Sequence, residues 1–396
     1  MYVTRPLSLY RKFPASLSTP PADVAGPNSG FLVIQDEESE TTCCFGLCKE
    51  NYLHDLPFPQ NKKLTVHYST GAGENESIFL NEVILIPVLN QPLSSNRYHA
   101  MVPRGKHKGE AYTNSKEEDK SSCCFCSCVR DVKPRPLDPN NTYQQVEISP
   151  YDAACSSRGQ FLGKSVAPDG FPPYFFRWEG WQIYTSTPRN YELGEAPGVD
   201  SALRARLPEF NFPLSCERSE AVVVGKWYCP FMFVRDGTLR NQVERSMYYE
   251  MTLEQKWERI FESENSYGGS NTSVGVNVVV QTEVVSFPGS EVVEVNAANG
   301  VVWFRSSHNV GGQEGHVGLS SAIVEKMKWE EERAGWVGGA NGQVRVERVE
   351  ELEGMSGWRR FGSYVLVESF VLKRMDGSLV LSFGFKHTHQ IKSKWE

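Results

Sequence analysis

Two groups of cysteines share one frame in this 396-residue sequence. Glu37-Glu-Ser-Glu-Thr-Thr-Cys43-Cys44-Phe45-Gly-Leu-Cys48 and Glu117-Glu-Asp-Lys-Ser-Ser-Cys123-Cys124-Phe125-Cys-Ser-Cys128 both read acid, acid, two residues, two hydroxyls, Cys-Cys-Phe, two residues, Cys. Structural zinc takes four N or S donors in a tetrahedron, commonly from cysteine pairs two to four residues apart. Cys44 with Cys48, and Cys124 with Cys128, have that spacing, so the two groups together would make a Cys₄ zinc site. Three other chemistries stay open for the same thiols. Cysteines pack well as small apolar side chains. They accept reversible S-acylation, although neither cluster has an obvious amphipathic helix beside it. They also form disulfides, which a reducing compartment disfavours.

A second constellation lies near the C-terminus. Asp376-Gly377 between two long alternating runs predicts a hairpin with a two-residue turn, which fixes its register. Leu372 then faces Leu381, Phe370 faces Phe383, Glu368 faces Phe385, Leu366 faces His387 and Tyr364 faces His389. One Glu and two His on a strand pair can hold a metal; partly buried, hydrogen-bonded histidines at a sheet rim explain them equally. No complete catalytic motif accompanies them. Gly159-Gln-Phe-Leu-Gly163-Lys164-Ser165 is one residue short of a phosphate-binding loop and runs into Pro168. Gly71-Ala-Gly73 reads as loop, and Glu330-Glu331-Glu332 reads as an exposed helix face. No combination of residues specifies a reaction, which leans against an enzyme.

The elements that must position these residues are mostly strands. The fold class expected is mainly β (α+β). Residues 1–29 read as an extended, Pro-rich arm, and 30–262 as a β-rich domain with both Cys-Cys-Phe clusters. A helix ends that domain: Thr252-Leu-Glu-Gln255 has the form of a capping box, and Leu253, Trp257, Ile260 and Phe261 follow at helical spacing. After a Ser/Gly-rich linker, 274–396 reads as an antiparallel β domain with one helix, from about Leu319 to Ala334, stopped by Gly335. Valines at 274, 276, 278, 280 and 284 alternate as on a half-buried strand, and Asn299-Gly300 marks a hairpin. The two cysteine groups suggest an internal duplication, roughly 30–103 and 109–186, with chance similarity as the other explanation.

Bulk composition narrows the class. Hydrophobic residues are 40% and charged residues 22%, an ordinary globular balance. A net charge of -7 argues against a general nucleic-acid binder, which needs basic surface to release counterions. The N-terminal residues lack the apolar stretch of a secretory signal. The longest apolar run, Val83 to Leu89, is too short to span a bilayer. The expectation is a soluble, cytoplasmic protein, with the nucleus also open to it.

Several longer phrases carry a resemblance. They are the opening MYVTRPLSLY, Leu56-Pro-Phe-Pro-Gln-Asn61, Pro87 to Tyr98, Gly109-Glu-Ala-Tyr112, Ser165 to Pro173, and the tail from Met375-Asp-Gly to Trp395. With them the chain resembles the plant protein family catalogued as domain of unknown function 1262. The resemblance implies a land-plant protein and supplies no activity, cofactor or catalytic residue. Some members of that family carry a label mentioning insecticidal crystal toxins.

Three functions from different classes follow. The first is a non-enzymatic interaction protein linked to stress or defence, binding a protein or small molecule through an aromatic groove; Trp178, Trp181, Tyr184 and Trp227 are the candidates, and core packing accounts for the same residues. The second is a membrane-active protein of the β-pore-forming kind, built on strands such as Val274–Val284. The third is an enzyme with an unrecognised site near Cys229 or His387.

Overall fold

The computed structural model describes residues 1–43, 48–70, 76–123, 126–152, 159–265, 272–288, 290–310, 313–352 and 357–396. The chain is β-rich, with several antiparallel sheets and short helices, as the sequence predicts. It divides into two compact units. Unit 1 is Met1–Ala196 with Tyr228–Tyr249, and unit 2 is Pro197–Trp227 with Glu250–Glu396. The division therefore differs from the linear boundaries read from the sequence, because the chain leaves each unit and returns to it.

Unit 1 carries a seven-stranded sheet in the order Phe161–Ser165, Val146–Pro150, Arg97–Met101, Ser77–Pro87, Lys63–Thr70, Gln182–Ser186, Tyr52–Leu53. Its core includes Phe58, Val66, Ile148, Phe161, Phe176 and Trp181, all fully buried. Residues 1–29 are not an extended arm. Tyr2–Pro6 is a buried strand, paired in parallel with Gly30–Ile34, and Leu7–Lys12 and Pro21–Ala25 are short helices. The parallel pairing needs glycine at 30, since a Cβ there would lie 2.4 Å from the Tyr2 ring.

The described residues of both cysteine groups lie in short antiparallel strand pairs. Thr42–Cys43 pairs with Cys48–Lys49, and Lys120–Cys123 pairs with Cys126–Val129; a 3₁₀ turn precedes each, at Glu37–Ser39 and Glu117–Asp119. The shared sequence frame thus has a shared local form.

Unit 2 is dominated by long antiparallel strands. Arg360–Arg374 and Leu379–Trp395 form the expected hairpin, flanked on one side by Glu283–Phe287, then Ser290–Ala298, Val301–Val310 and Gln313–Ser320. On the other side lies the unit 2 part of Tyr248–Glu264. That strand replaces the helix expected from Thr252. Leu253, Gln255 and Trp257 are buried while Glu254 and Lys256 between them are only partly so, the alternation of a strand. A spacing of four fits a period of two as well as one of 3.6, so Leu253 and Trp257 satisfied both patterns. The helix Ser321–Arg333 lies where expected, and Gly335 follows it with φ 88°. Asn299 and Gly300, with φ of 52° and 72°, make the predicted hairpin turn.

A separate two-stranded sheet pairs Ser273–Gln281 with Gln343–Glu351. Its inward valines, Val274, Val276, Val280 and Val346, pack with Trp358, Phe361 and Trp395. The predicted strand 274–284 breaks at Thr282, a buried residue whose hydroxyl donates to the carbonyls of Gly338 and Gly342, at 2.7 and 3.0 Å.

Candidate functional site

The hairpin in unit 2 bears out the predicted register from Leu372↔Leu381 to Leu366↔His387, including Glu368↔Phe385. Beyond that the register shifts: Val365 faces Ile391 and Tyr364 faces Lys392, not His389. Three residues, 388–390, are thus extra on one strand, and the bulge sets the His389 ring 5.4 Å from that of His387.

His387 and Glu368 meet, as the hairpin predicts, and three residues that the sequence reading missed join them. His387 Nε2 lies 2.8 Å from Glu331 Oε2 and 3.1 Å from Glu368 Oε2. Arg204 grips Glu368 with two bonds, one from Nε at 2.9 Å and one from Nη2, and reaches Glu331 Oε1 at 3.2 Å. Gln255 donates to Glu368 Oε1 at 2.6 Å. Glu331, Glu368 and His387 are at most 1% exposed. Glu331 corrects the reading of Glu330-Glu331-Glu332 as an exposed face. It falls four residues after Met327 and eight after Ile323, on the buried stripe of the helix.

The electrostatics follow from this geometry. Burial raises the Glu331 carboxyl to about 8, against the opposing hydrogen bond from His387. Burial also works against the Glu368 carboxylate, but hydrogen bonds from His387 and Arg204 outweigh it and hold its pKa well below the usual range. Burial would lower His387, yet its bonds to the two carboxylates lift it to about 9. Glu331, Glu368 and His387 offer ligand atoms within 4.8 Å of one another. A divalent ion there would displace the His387 proton beside a permanent guanidinium that already holds Glu368. The donor set therefore suits a proton-bearing salt cluster better than a metal. Cys229, the other residue weighed for enzymatic chemistry, is fully buried, and burial pushes its thiol up to about 11, away from nucleophilic use.

The candidate aromatic residues separate into two kinds. Trp181 and Trp227 are core side chains, 0% and 1% exposed, which corrects their reading as groove residues. Trp181 packs with Phe161 and Phe176 in unit 1, and Trp227 with Phe370 in unit 2. Trp178 and Tyr184 do reach the surface of unit 1. Trp178 is half-buried and stacks on Tyr68 with centroids 4.6 Å apart and planes at 16°. Phe79 and Tyr174 close on the same indole. Tyr184 sits on the opposite face of the sheet, 5.1 Å from His67 and 5.4 Å from Tyr52.

Between these two aromatic groups runs an exposed apolar stretch, Ile78-Phe79-Leu80, at 58%, 39% and 59% exposure. Tyr68 faces Phe79 across the hairpin, and His67 faces Leu80. Alternation along a strand therefore puts Phe79 with Trp178, and Ile78 and Leu80 with Tyr184 and His67. A separate cavity in unit 1, lined by Gln60, Leu64, Leu85, Tyr191 and Met247, holds only ≈ 130 Å³, below the usual size of a small-molecule site.

Of the four proposed zinc ligands, Cys44 and Cys124 lie outside the described residues. Cys48 is placed as part of its strand, and Cys128 is exposed. No helix among the described residues is long and apolar enough to cross a membrane, which leaves strands unaddressed.

A search of curated proteins finds no match. Among solved structures the chain is similar to one titled "Crystal structure of Cry35Ab1", at 12% identity and a TM-score of 0.45, over 85% of this chain and 90% of that one. A likeness at that level assigns no function. Residues 25–125 match the model of a family described as "Protein of unknown function (DUF1262)", so the family recognised from the sequence motifs is the one this segment of the chain carries.

Proposed function

We propose that this is a non-enzymatic interaction protein that docks its partner on unit 1, around Ile78-Phe79-Leu80 and the rings beside it. One observation carries this reading: three consecutive apolar side chains are exposed on both faces of one strand. Phe79 leans on Trp178, but Ile78 and Leu80 keep more than half of their surface exposed, and contiguous exposed apolar surface marks interaction sites. Aromatic neighbours such as Trp178 and Tyr184 are the side chains that anchor interfaces. The sealing of the Glu331–Glu368–His387 cluster and of Cys229 agrees with a binding role, since neither presents a group to a substrate.

The test is the double variant Ile78→Ser/Leu80→Ser. Both side chains are exposed, so the fold should keep its stability within about 0.5 kcal/mol. A partner captured by the wild type, purified and re-bound to it should lose roughly tenfold or more in affinity for the variant. Unchanged affinity would remove this surface from the function.

One feature favours a second, membrane-active reading. Ser273–Gln281 and Gln343–Glu351 pair only with each other among the described residues, and each has nine residues, about the length of a membrane-crossing strand. Val274, Val276, Val278 and Val280 occupy one face, with Gly275, Asn277, Val279 and Gln281 on the other. Against it, Val276 faces Arg348 and Val274 faces Glu350, so charge enters the apolar face before the strands end. Dye release from anionic vesicles tests it: the expected result is leakage that Val276→Asp abolishes. No leakage from wild type at micromolar protein leaves the interaction reading alone.

A further inference from the structure

Resting on the interaction reading above, we infer that unit 1 takes its partner by strand addition, pairing the open edge of Ser77–Val83 with an extended, alternately apolar segment flanked by lysine or arginine. Ser77–Pro87 is eleven residues long, but its neighbour Arg97–Met101 pairs only with Ile84 to Pro87. Ser77 to Val83 has Lys63–Thr70 on one side and, among the described residues, no strand on the other.

The direction of the backbone groups follows from hydrogen bonds further along the same strand. Val88 N–H donates to the Arg97 carbonyl, so even-numbered residues turn towards Arg97–Met101. The Leu85 carbonyl accepts from Gln60 Nε2 on the opposite side, as odd parity requires. Continuing that alternation, the N–H and C=O groups of Ile78, Leu80 and Glu82 face the open edge, while those of Phe79 and Asn81 are used by Lys63–Thr70. Native edges are usually protected by charge, proline or a bulge. Here the central residues, Ile78 and Leu80, are uncharged and exposed, which suits main-chain pairing with side-chain pockets on alternate positions.

Charge selects the occupant. Glu76 and Glu82 bracket the apolar trio. Arg104, itself exposed, reaches Glu82 at 3.3 Å, and Arg177 is taken up by Asp131. A second copy is a poor occupant. The two-fold antiparallel pairing that sets Ile78 against Leu80 also sets Glu76 against Glu82, and like charges opposite one another destabilise a strand pair. A foreign segment with cationic flanks meets Glu76 favourably and meets Glu82 in competition with the exposed Arg104.

The probe is the synthetic peptide Lys-Lys-Val-Thr-Val-Thr-Val-Lys-Lys, titrated against the full chain while amide exchange is followed. Binding should slow exchange at Ile78, Leu80 and Glu82. Leu80→Pro removes one outward N–H without breaking the ladder to Lys63–Thr70 and should weaken binding roughly tenfold, whereas Leu80→Val should not. Glu76→Lys should weaken the lysine-flanked peptide and favour a glutamate-flanked one. Equal binding to Leu80→Pro overturns strand addition while leaving the apolar docking surface intact. A wild type that binds no such peptide, or that dimerises through this edge, overturns the assigned occupant. Loss of the captured partner with Ile78→Ser/Leu80→Ser alone, and not with Leu80→Pro, separates the two failures.

Discussion

Arg204→Leu is expected to destabilise unit 2 by about 3–5 kcal/mol, because it leaves a buried carboxylate without its counter-charge. Glu368 is 1% exposed and takes two bonds from this guanidinium, which also serves Glu331. The pH dependence gives the effect its signature. In the wild type, His387 is raised to about 9. Its stabilisation is complete below its unfolded value, about 6.5, and is lost as pH rises through about 9. Glu331, raised to about 8, is favoured neutral by the fold, so its ionisation in the unfolded chain draws stability down as pH climbs from about 4.3 to 8. Both slopes point the same way, and wild-type stability should fall between pH 6.5 and 9. Glu368 has the opposite sign. Its contribution is present above its unfolded value, about 4.3, and is lost as pH drops towards its depressed folded one. In Arg204→Leu the defect is excess buried negative charge, so the deficit should shrink as pH is lowered from 7 towards 5. Urea unfolding across pH 5–9 measures this. A deficit below about 1 kcal/mol that ignores pH would show that the cluster is not held by charge.

Trp181→Ala is expected to cost about 3–5 kcal/mol in unit 1, the range for removing a large buried aromatic ring. Trp181 is fully buried between Phe161 and Phe176, each with its centroid 5.4 Å away. Three residues earlier, Trp178→Ala should cost far less. That ring is half-buried, and its stacking on Tyr68 is of a kind that contributes about 0.5–1.5 kcal/mol beyond area. Denaturant unfolding of both variants makes the comparison. Similar losses would mean that Trp178 is a core residue too and would remove it from the docking surface.

The two tryptophans also show what the sequence could reveal. Trp181 and Ile183 are buried while Tyr184 is exposed, a period-two pattern present in the residues themselves. Counting aromatics together hid it, since residue type alone does not distinguish a core ring from an anchoring one. The C-terminal hairpin was legible because Asp376-Gly377 sets one register and alternating apolar residues enforce it. Legibility ended at the bulge, where three added residues leave no mark in the pattern. The strand at Thr252 was misread because Leu253 and Trp257 fit two periods at once. Glu331 was visible at the spacing of Ile323 and Met327, but three successive glutamates read as solvent-facing charge. Arg204 and Gln255 carried no local signal, because they come from elements far from the hairpin in sequence. The open edge at Ser77–Val83 was invisible for a different reason: strand neighbours are set by topology, and only the short reach of Arg97–Met101 leaves it bare.

The sealed cluster also dictates when unit 2 can assemble during synthesis. Arg204 and Glu368 are 164 positions apart, and His387 comes later still. At a translation rate of about 5–20 residues per second, roughly 10–40 s separate the emergence of Arg204 from that of His387. Unit 1 has all its residues by Tyr249 and is free to close early. Until Glu331 and then Glu368 emerge, the nascent chain carries Arg204 and Gln255 with neither carboxylate of the cluster to receive them, beside strands whose neighbours have yet to leave the ribosome. Burial of the cluster is therefore a late event, and chaperone dependence should concentrate in the time before Leu379–Trp395 arrives.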